Sequence, residues 1–140
     1  MGALLRIAHE HVWRRMLREV AAAGFDDLSE TEYRLFQYPG PEGARPIEVA
    51  QRCGMTKQAM NYVLAALERK GYLARRTARG GGGRVIHLEK RGRKLIAALR
   101  SSVQRVEREW SAQVGEPQLE EMGRHIIRFA QSLGWRAWMS

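Results

Sequence analysis

Four consecutive glycines, Gly80 to Gly83, restrict the fold of this 140-residue chain more than any other feature. The segments on either side, Tyr72 to Thr77 and Arg84 to Glu89, have the length and composition of short β-strands. Glycine adopts the backbone angles of tight turns without strain, so a glycine run between two strands is typical of a hairpin tip. The sequence therefore predicts one β-hairpin with a flexible tip over residues 78–83.

Two short helices are predicted before this hairpin. Pro46 suits the first turn of a helix over Ile47 to Cys53, where its missing N–H costs no hydrogen bond. Thr56 suits the cap of the next helix, which runs to Lys70. The apolar stripe of that helix has helical spacing and consists of Met60, Val63, Leu64 and Leu67. Two such helices joined by a turn at Gly54 form a helix-turn-helix, and a basic hairpin directly behind one is a wing.

Helical periodicity continues on both sides of this central region. An amphipathic segment from about Ala3 to Ala23 precedes it, and Ser29 with Glu32 has the spacing of a capping box that starts a short second helix. After the hairpin we predict a long helix over Lys90 to Val114 and a final helix beyond Gly115. The predicted fold class is therefore mainly α with a small β-hairpin.

Positive charge is concentrated in the centre of the chain. The whole sequence has 24 Lys and Arg against 15 Asp and Glu, a formal net charge of +9. Between Arg45 and Lys94 there are thirteen basic and three acidic residues, so this segment carries +10 and the remainder −1. An ordinary solvated surface would spread its charge along the chain. A concentrated basic segment indicates a polyanionic partner, either nucleic acid or an anionic membrane surface.

The sequence also limits the setting in which the protein works. It has no run of eighteen apolar residues, and Arg6 interrupts the short apolar start, so we expect neither a membrane span nor a signal peptide. Cys53 is the only cysteine, which excludes an intramolecular disulfide and suits a reducing compartment. We therefore expect a cytoplasmic protein whose partner is double-stranded DNA rather than a membrane.

We expect one domain with two regions. Residues 28–89 form a winged helix-turn-helix DNA-binding region, and residues 1–24 and 90–140 form a helical dimerisation region. The apolar stripes of the terminal helices are too extensive for so small a domain to bury alone, and a second copy would cover them. The predicted dimer-interface residues are Leu4, Val12, Ile96, Val103, Trp110, Ile126 and Phe129. The alternative is that these stripes pack within one chain, and Trp135 and Trp138 suit a core or an interface.

The side chains predicted to contact DNA lie on the second helix of the helix-turn-helix and on the hairpin. On the helix they are Thr56, Lys57, Gln58, Asn61 and Tyr62, near the end that faces base edges in the major groove. Gln58 and Asn61 have amides that can pair bidentately with adenine. On the hairpin they are Arg75, Arg76, Arg79 and Arg84. One of Arg75 and Arg76 should face the backbone phosphates, and an arginine beside the glycine tip suits a narrow minor groove. The alternative for both sets is an ordinary solvated surface.

The order of these elements resembles the multiple antibiotic resistance regulator (MarR) family of winged helix-turn-helix transcriptional regulators. Met55 to Val63, followed by Leu67 to Tyr72, is similar to that family's recognition helix and its glycine exit. Leu28 to Tyr33 resembles the opening of its second helix. Leu88 to Gly92 resembles the step from the wing into the dimer helix, with Glu89 in place of threonine. The resemblance extends over nearly the whole chain.

The resemblance implies a homodimeric, sequence-specific transcriptional regulator, and we predict a repressor on an inverted-repeat operator. It also implies a pocket between the dimer helices and the winged region for a small lipophilic or phenolic effector. The wing differs from the family pattern, because the aspartate-x-arginine motif is absent from Gly80 to Gly83 and the wing is short. The arginine that enters the minor groove is therefore open between Arg79 and Arg84.

Other functions fit the residues less well. Asp26 and Asp27 are the only aspartates, and the glycine run leads into a strand rather than a helix, so no enzyme is predicted. His9 and His11 would point to different faces of one helix, and we expect no metal or other cofactor. RNA binding would need an aromatic-bearing sheet. The main alternative is an architectural protein that binds DNA without reading its sequence.

Overall fold

The computed structural model describes residues 1–37 and 40–133. The elements in that part of the chain are α1 (Gly2–Ala22), α2 (Glu30–Leu35), α3 (Pro46–Arg52), α4 (Lys57–Arg69), β1 (Leu73–Thr77), β2 (Arg84–Leu88), α5 (Lys90–Val114) and α6 (Glu116–Ser132). The two strands form an antiparallel sheet. The predicted class, mainly α with a small hairpin, is confirmed. Trp135 and Trp138 lie outside the described residues.

Local hydrogen bonds explain where the helices begin. At α2 the Glu32 backbone N–H donates to Ser29 Oγ over 3.3 Å, and the Glu32 carboxylate accepts from the Ser29 N–H over 2.7 Å, which is the predicted capping box. At α4 the Thr56 hydroxyl oxygen accepts from the backbone N–H of Ala59 over 3.1 Å, so Thr56 caps this helix as predicted. The first residue of α3 is Pro46, also as predicted.

The hairpin is one residue shorter at each outer end than predicted, because both end residues take part in closing the ends of the neighbouring helices. The Tyr72 N–H donates to the Leu67 carbonyl over 3.0 Å, which closes the C-terminal end of α4. Glu89 is the N-cap of α5, and its N–H donates to the Tyr72 carbonyl over 3.0 Å. Helix α4, the hairpin and α5 therefore follow one another without a flexible linker.

One hydrophobic core joins the helix-turn-helix, the hairpin and the long helices. Helix α4 contributes its predicted apolar stripe, all of which is buried. The other contributors include Met16 and Val20 of α1, Leu73 of β1, Ile86 and Leu88 of β2, and Leu95 and Leu99 of α5. Because α1 and α5 pack along each other within the chain, the core fixes the helix-turn-helix relative to both long helices.

The stripe on α5 packs partly within its own chain. Leu99 and Val106 are buried there. Ile96 and Val103, which are predicted dimer residues, are partly buried against the same core. Intramolecular packing therefore accounts for much of this stripe, and these contacts leave less of it for a second copy. The predicted dimer residues Val12 and Trp110 are also partly buried within the chain.

Large apolar side chains are exposed at both ends of the described chain, and α6 has no residue buried within the chain. We call the following set the terminal apolar surface: Leu4, Leu5 and Ile7 of α1, and Met122, Ile126, Ile127, Phe129 and Leu133 at α6 and its C-terminal cap. It includes three of the predicted dimer residues, Leu4, Ile126 and Phe129. None of the described helices is long and apolar enough to cross a membrane.

Charged side chains also tie α1 to α5. The Glu19 carboxylate accepts hydrogen bonds from Arg15, over 2.8 Å on the same helix, and from Arg105 on α5. Arg15 in turn donates to the Glu109 carboxylate of α5 over 2.7 Å. The hydrogen bonds from Arg105 and then Arg15 lower the pKa of Glu19 to about 2. This network therefore links the packing of the two long helices to pH.

We expect Glu19→Gln to make the stability of the fold less sensitive to acid. Because the pKa of Glu19 is lowered from 4.5 to about 2 on folding, its ion pairs stabilise the chain above the ordinary pKa and are lost as the pH falls toward 2. The urea midpoint of the wild type should fall more steeply between about pH 5 and pH 2 than that of the variant. Glu10→Gln, whose ion pairs stay within α1, is the control. Equal slopes for wild type and Glu19→Gln would contradict this role.

Candidate nucleic-acid interface

The N-terminal half of α4 presents polar side chains to solvent. Lys57, Gln58 and Tyr62 are exposed, and Tyr62 retains 76% of its accessible surface. Thr56 is also exposed, although its hydroxyl oxygen is engaged in capping the helix. The apolar stripe of α4 is buried in the core. These four predicted recognition residues are therefore accessible to a partner.

The hairpin is attached to α4 through Arg75. Side chains alternate between the two faces of a strand, so Arg75 shares a face with the buried Leu73 and faces the core side. Its Nη2 lies 2.7 Å from Glu68 Oε2, and its Nε lies 3.0 Å from Glu68 Oε1. Only 17% of the Arg75 side chain is exposed. Arg75, one of the two hairpin arginines of which one was expected to face the phosphates, is thus paired with an acidic residue of α4.

The fifth predicted recognition residue, Asn61, lies beside this ion pair. It is partly buried, and its Oδ1 is 3.4 Å from Arg75 Nη1. Asn61 and Glu68 are seven residues apart, which places them on the same flank of α4 two turns from each other. The hydrogen bonds from Arg75 lower the pKa of Glu68 below its ordinary value, so this carboxylate stays ionised.

The other predicted arginines lie along the outer part of the wing. Arg76 lies on the opposite face of β1 from Arg75, with 62% of its side chain exposed and its Nη2 2.9 Å from Glu89 Oε1. Arg79 and Arg84 are exposed on either side of the glycine tip. Among the described residues neither forms an ion pair. Gly80, Gly81 and Gly83 have φ of +89°, +83° and +92°, a region that only glycine adopts easily, which accounts for the glycine run.

Arg45 is a cation at the wing that no sequence motif indicates. The Gly43 N–H donates to the Ile86 carbonyl over 2.7 Å, and the Ile86 N–H donates to the Ala44 carbonyl over 2.9 Å. This pairing brings the segment before α3 to the outer edge of β2. The exposed Arg45 follows it, and a Cβ on Gly82 would lie 3.7 Å from Arg45 Nη2. No local pattern marks this contact, because the two segments are far apart in sequence.

A cavity of about 460 Å³ opens between the long helices and the end of α2. Its walls include Trp13 and His9 of α1, Phe36 after α2, and Arg100 and Val103 of α5. The His9 and Trp13 rings are stacked, 9° from parallel with centroids 6.5 Å apart. The lining of the cavity is therefore largely apolar and aromatic, and Arg100 is a cationic side chain in it.

The described residues contain few groups suited to other chemistry. Within residues 1–37 and 40–133, no three His, Cys, Asp or Glu side chains are placed to hold a metal ion. Burial raises the pKa of the half-buried Cys53 thiol, so the thiol stays protonated rather than becoming a nucleophilic thiolate. The exposed side chains of the helix-turn-helix and its wing are mainly hydrogen-bonding and cationic groups, which suit binding rather than catalysis.

The sequence and fold of this chain are similar to those of known proteins. The sequence model of the MarR family matches residues 27–84, from the approach to α2 to the first residue of β2. MepR, a transcription regulator of the Staphylococcus aureus multidrug efflux pump MepA, is 20% identical with a TM-score of 0.63, and the match covers 95% of this chain and 98% of that chain. The MarR family protein Rv2887 of Mycobacterium tuberculosis, in complex with salicylic acid, is 26% identical with a TM-score of 0.62, covering 92% and 95%. No curated protein matches the chain.

A third solved structure has a similar fold although its sequence is distant. The transcriptional regulator Tm0710 of Thermotoga maritima is 14% identical with a TM-score of 0.63, covering 95% of this chain and 93% of that chain. These matches include both long helices as well as the helix-turn-helix and the wing, so they confirm the fold. MepR and Tm0710 are both described as transcription regulators. The sequence model of the MarR family therefore matches the helix-turn-helix and the first strand of this chain, and MepR, Rv2887 and Tm0710 share its fold.

Proposed function

We propose that this chain binds a specific double-stranded DNA sequence and represses transcription as a homodimer on an inverted repeat. The observation that supports this best is the accessible polar half of α4, with Lys57, Gln58 and Tyr62 exposed next to a wing rich in arginine. Amide side chains add little to phosphate affinity, but they form specific hydrogen bonds with base edges. A dimer of this size on a promoter blocks polymerase without needing a further surface.

The wing supplies contacts outside the major groove. Its glycine tip permits close approach to the DNA backbone, and Arg79 and Arg84 on either side of the tip are the two candidates for the minor groove. Arg45 adds a third guanidinium close to the tip, at a wing that lacks the family's aspartate. Arg76 suits a phosphate contact, because most of its side chain is exposed despite its ion pair with Glu89. These contacts set affinity and its salt dependence rather than sequence preference.

The terminal apolar surface suits a second copy of this chain. Phe129 retains 69% of its surface and Leu4 retains 67%, an unfavourable exposure for side chains of this size in a monomer. A two-fold dimer would pair equal surfaces and present two copies of α4 to successive major grooves. Residues 1–24 and 90–140 then form the dimerisation region, and residues 28–89 form the DNA-binding region.

A small molecule in the cavity would regulate this binding. The apolar, aromatic lining suits a lipophilic or phenolic compound, and Arg100 suits an acidic or hydroxyl group on it. The related Rv2887 has been solved with salicylic acid, and MepR with ethidium. Because the cavity lies between both long helices and the end of α2, a ligand there can change how the helix-turn-helix is held.

Selection of bound duplexes from a random DNA pool at near-physiological salt tests the proposal. We expect an inverted repeat whose half-sites are about one helical turn apart, because the two copies of α4 are related by two-fold symmetry. Arg79→Ala and Arg84→Ala should lower affinity, and the one that also relaxes preference for A·T pairs beside the half-sites identifies the minor-groove arginine. Added salicylate should release the selected duplex if the cavity is the effector site.

A control variant and two opposing outcomes make this test decisive. Arg108→Ala removes an exposed positive charge from α5, far from α4 in the sequence, and should leave the selected motif unchanged. Binding without any recovered motif would support the architectural alternative and contradict sequence-specific regulation. An absence of binding to any duplex would contradict DNA as the partner.

A further inference from the structure

Arg75 donates three hydrogen bonds to the Glu68 carboxylate, two from its guanidinium and one from its backbone. Its Nη2 and Nε donate to the two oxygens of Glu68 over 2.7 and 3.0 Å, and the backbone N–H of Arg75 donates to Glu68 Oε1 over 2.9 Å. A bidentate pair of this kind fixes the plane of the guanidinium as well as its position. With 17% of its side chain exposed, Arg75 is a poor candidate for a phosphate contact.

The fixed guanidinium determines how the Asn61 amide is turned. Its remaining terminal nitrogen, Nη1, lies 3.4 Å from Asn61 Oδ1. Arginine can only donate hydrogen bonds, so the amide oxygen and not the amide nitrogen faces it. Although the distance is long for a hydrogen bond, the charge of Arg75 favours the same orientation. The Nδ2 group, with two N–H donors, is therefore the end of Asn61 directed away from the hairpin.

This orientation changes what Asn61 can recognise. A bidentate contact with adenine needs the amide oxygen and nitrogen of one side chain to face the same base. An amide whose oxygen is turned to Arg75 presents its donors instead. We propose that Arg75 is a positioning residue that makes Asn61 a hydrogen-bond donor to acceptor edges in the major groove, namely O6 of guanine or O4 of thymine, which adenine lacks. The proposal rests on the proposed sequence-specific function and names the base class that this side chain reads.

The geometry depends on the spacing of Asn61 and Glu68 along α4. Glu68 lies two turns after Asn61 on the same flank of α4, so a single guanidinium reaches both side chains. Arg75 thereby connects the wing strand to a recognition side chain, and a change in the hairpin would reach base recognition through it. Sequence preference at one position of each half-site is therefore the quantity to measure.

Selection from a random pool and equilibrium binding at several salt concentrations test this with the full-length protein. The wild type should prefer guanine or thymine at one position of each half-site. Asn61→Ala should reduce the affinity ratio between the preferred base and the other bases at that position by roughly tenfold or more. Asn61→Asp keeps an acceptor for Arg75 but has no donor, so it should lose the same preference while retaining the fold. Arg75→Ala should free the amide and shift the preference at that position toward adenine.

The salt dependence separates a positioning role from a phosphate contact. If Arg75 positions Asn61, Arg75→Ala leaves the slope of log K against log salt unchanged. Loss of a phosphate contact would instead make this negative slope shallower by about 0.9 and weaken binding to all sequences alike, and that result would contradict the positioning role. Arg75→Lys keeps the charge but lacks the fork, so it should shift base preference as Arg75→Ala does, and it replaces that variant if Arg75→Ala fails to fold. Arg108→Ala, which removes an exposed charge on α5, is the matched control.

Three results of the selection would also overturn the inference. An adenine preference at the position that Asn61→Ala affects would show bidentate reading, with sequence-specific function intact. A motif that Asn61→Ala leaves unchanged would remove Asn61 from readout altogether, again without affecting the proposed function. A pool that yields no motif would overturn both the proposed function and this inference.

Discussion

Gly92→Ala is expected to destabilise the fold by about 3 kcal/mol or more, the upper range for overpacking a core. A Cβ at this position would meet the Tyr72 carbonyl oxygen far inside the 3.0 Å that real Cβ contacts essentially never go below, and it would lie 3.1 Å from Leu88 Cδ2. The obstacle is backbone, which cannot rotate away as a side chain can. Moving it would also disturb the hydrogen bond that the Glu89 N–H donates to the same carbonyl over 3.0 Å.

Urea unfolding followed by circular dichroism measures the effect. Lys90→Ala, an exposed change two residues earlier in α5, is the control and should alter stability by less than about 0.5 kcal/mol. A loss in Gly92→Ala no larger than that of the control would show that α5 and the wing do not meet as closely as described. Because α5, the hairpin and α4 follow one another without a linker, the variant should also lose DNA affinity.

Local signals were sufficient to predict most of the fold. The caps at Ser29 and Thr56 depend on side chains within three residues of the helix start, and the sequence places both correctly. The hairpin followed from strand periodicity and from glycines that adopt positive φ. The heptad-like stripe of α5 was harder to interpret, because periodicity shows that a face is buried and not which chain buries it. Leu99 and Val106 turned out to pack within the same chain.

The candidate site was harder to predict, because charge counting treats all arginines alike. Arg75 and Arg76 are adjacent, but β1 turns them to opposite faces, and only Arg75 meets Glu68 of α4. The alternation with the apolar Leu73 was a usable signal for this difference. Arg45 had no such signal, because it reaches the wing only through the pairing of a distant loop with β2. Composition and local spacing do not predict contacts between segments that are far apart in sequence.

The second large effect is expected from the terminal apolar surface. Replacing both Ile126 and Phe129 of α6 with glutamate should convert a dimer into a monomer of 16.0 kDa. These side chains are 44% and 69% exposed in the chain, so the substitution leaves the core intact. Two carboxylates in an apolar interface would be desolvated without partners, which opposes association strongly. Sedimentation equilibrium gives the mass, and circular dichroism confirms that the fold is retained.

Loss of the dimer should weaken operator binding by about 100-fold or more, since the two half-sites no longer bind as a linked pair. Each monomer keeps its own α4 and wing, so contact with a single half-site should persist and retain the wild-type base preference. Gln131→Glu adds one negative charge to α6 at an exposed polar position and is the control, with no expected change in mass or affinity. A double variant that remains dimeric would assign the interface to another surface, and a monomer that keeps full affinity would show that dimerisation is not what aligns two copies of α4 on DNA.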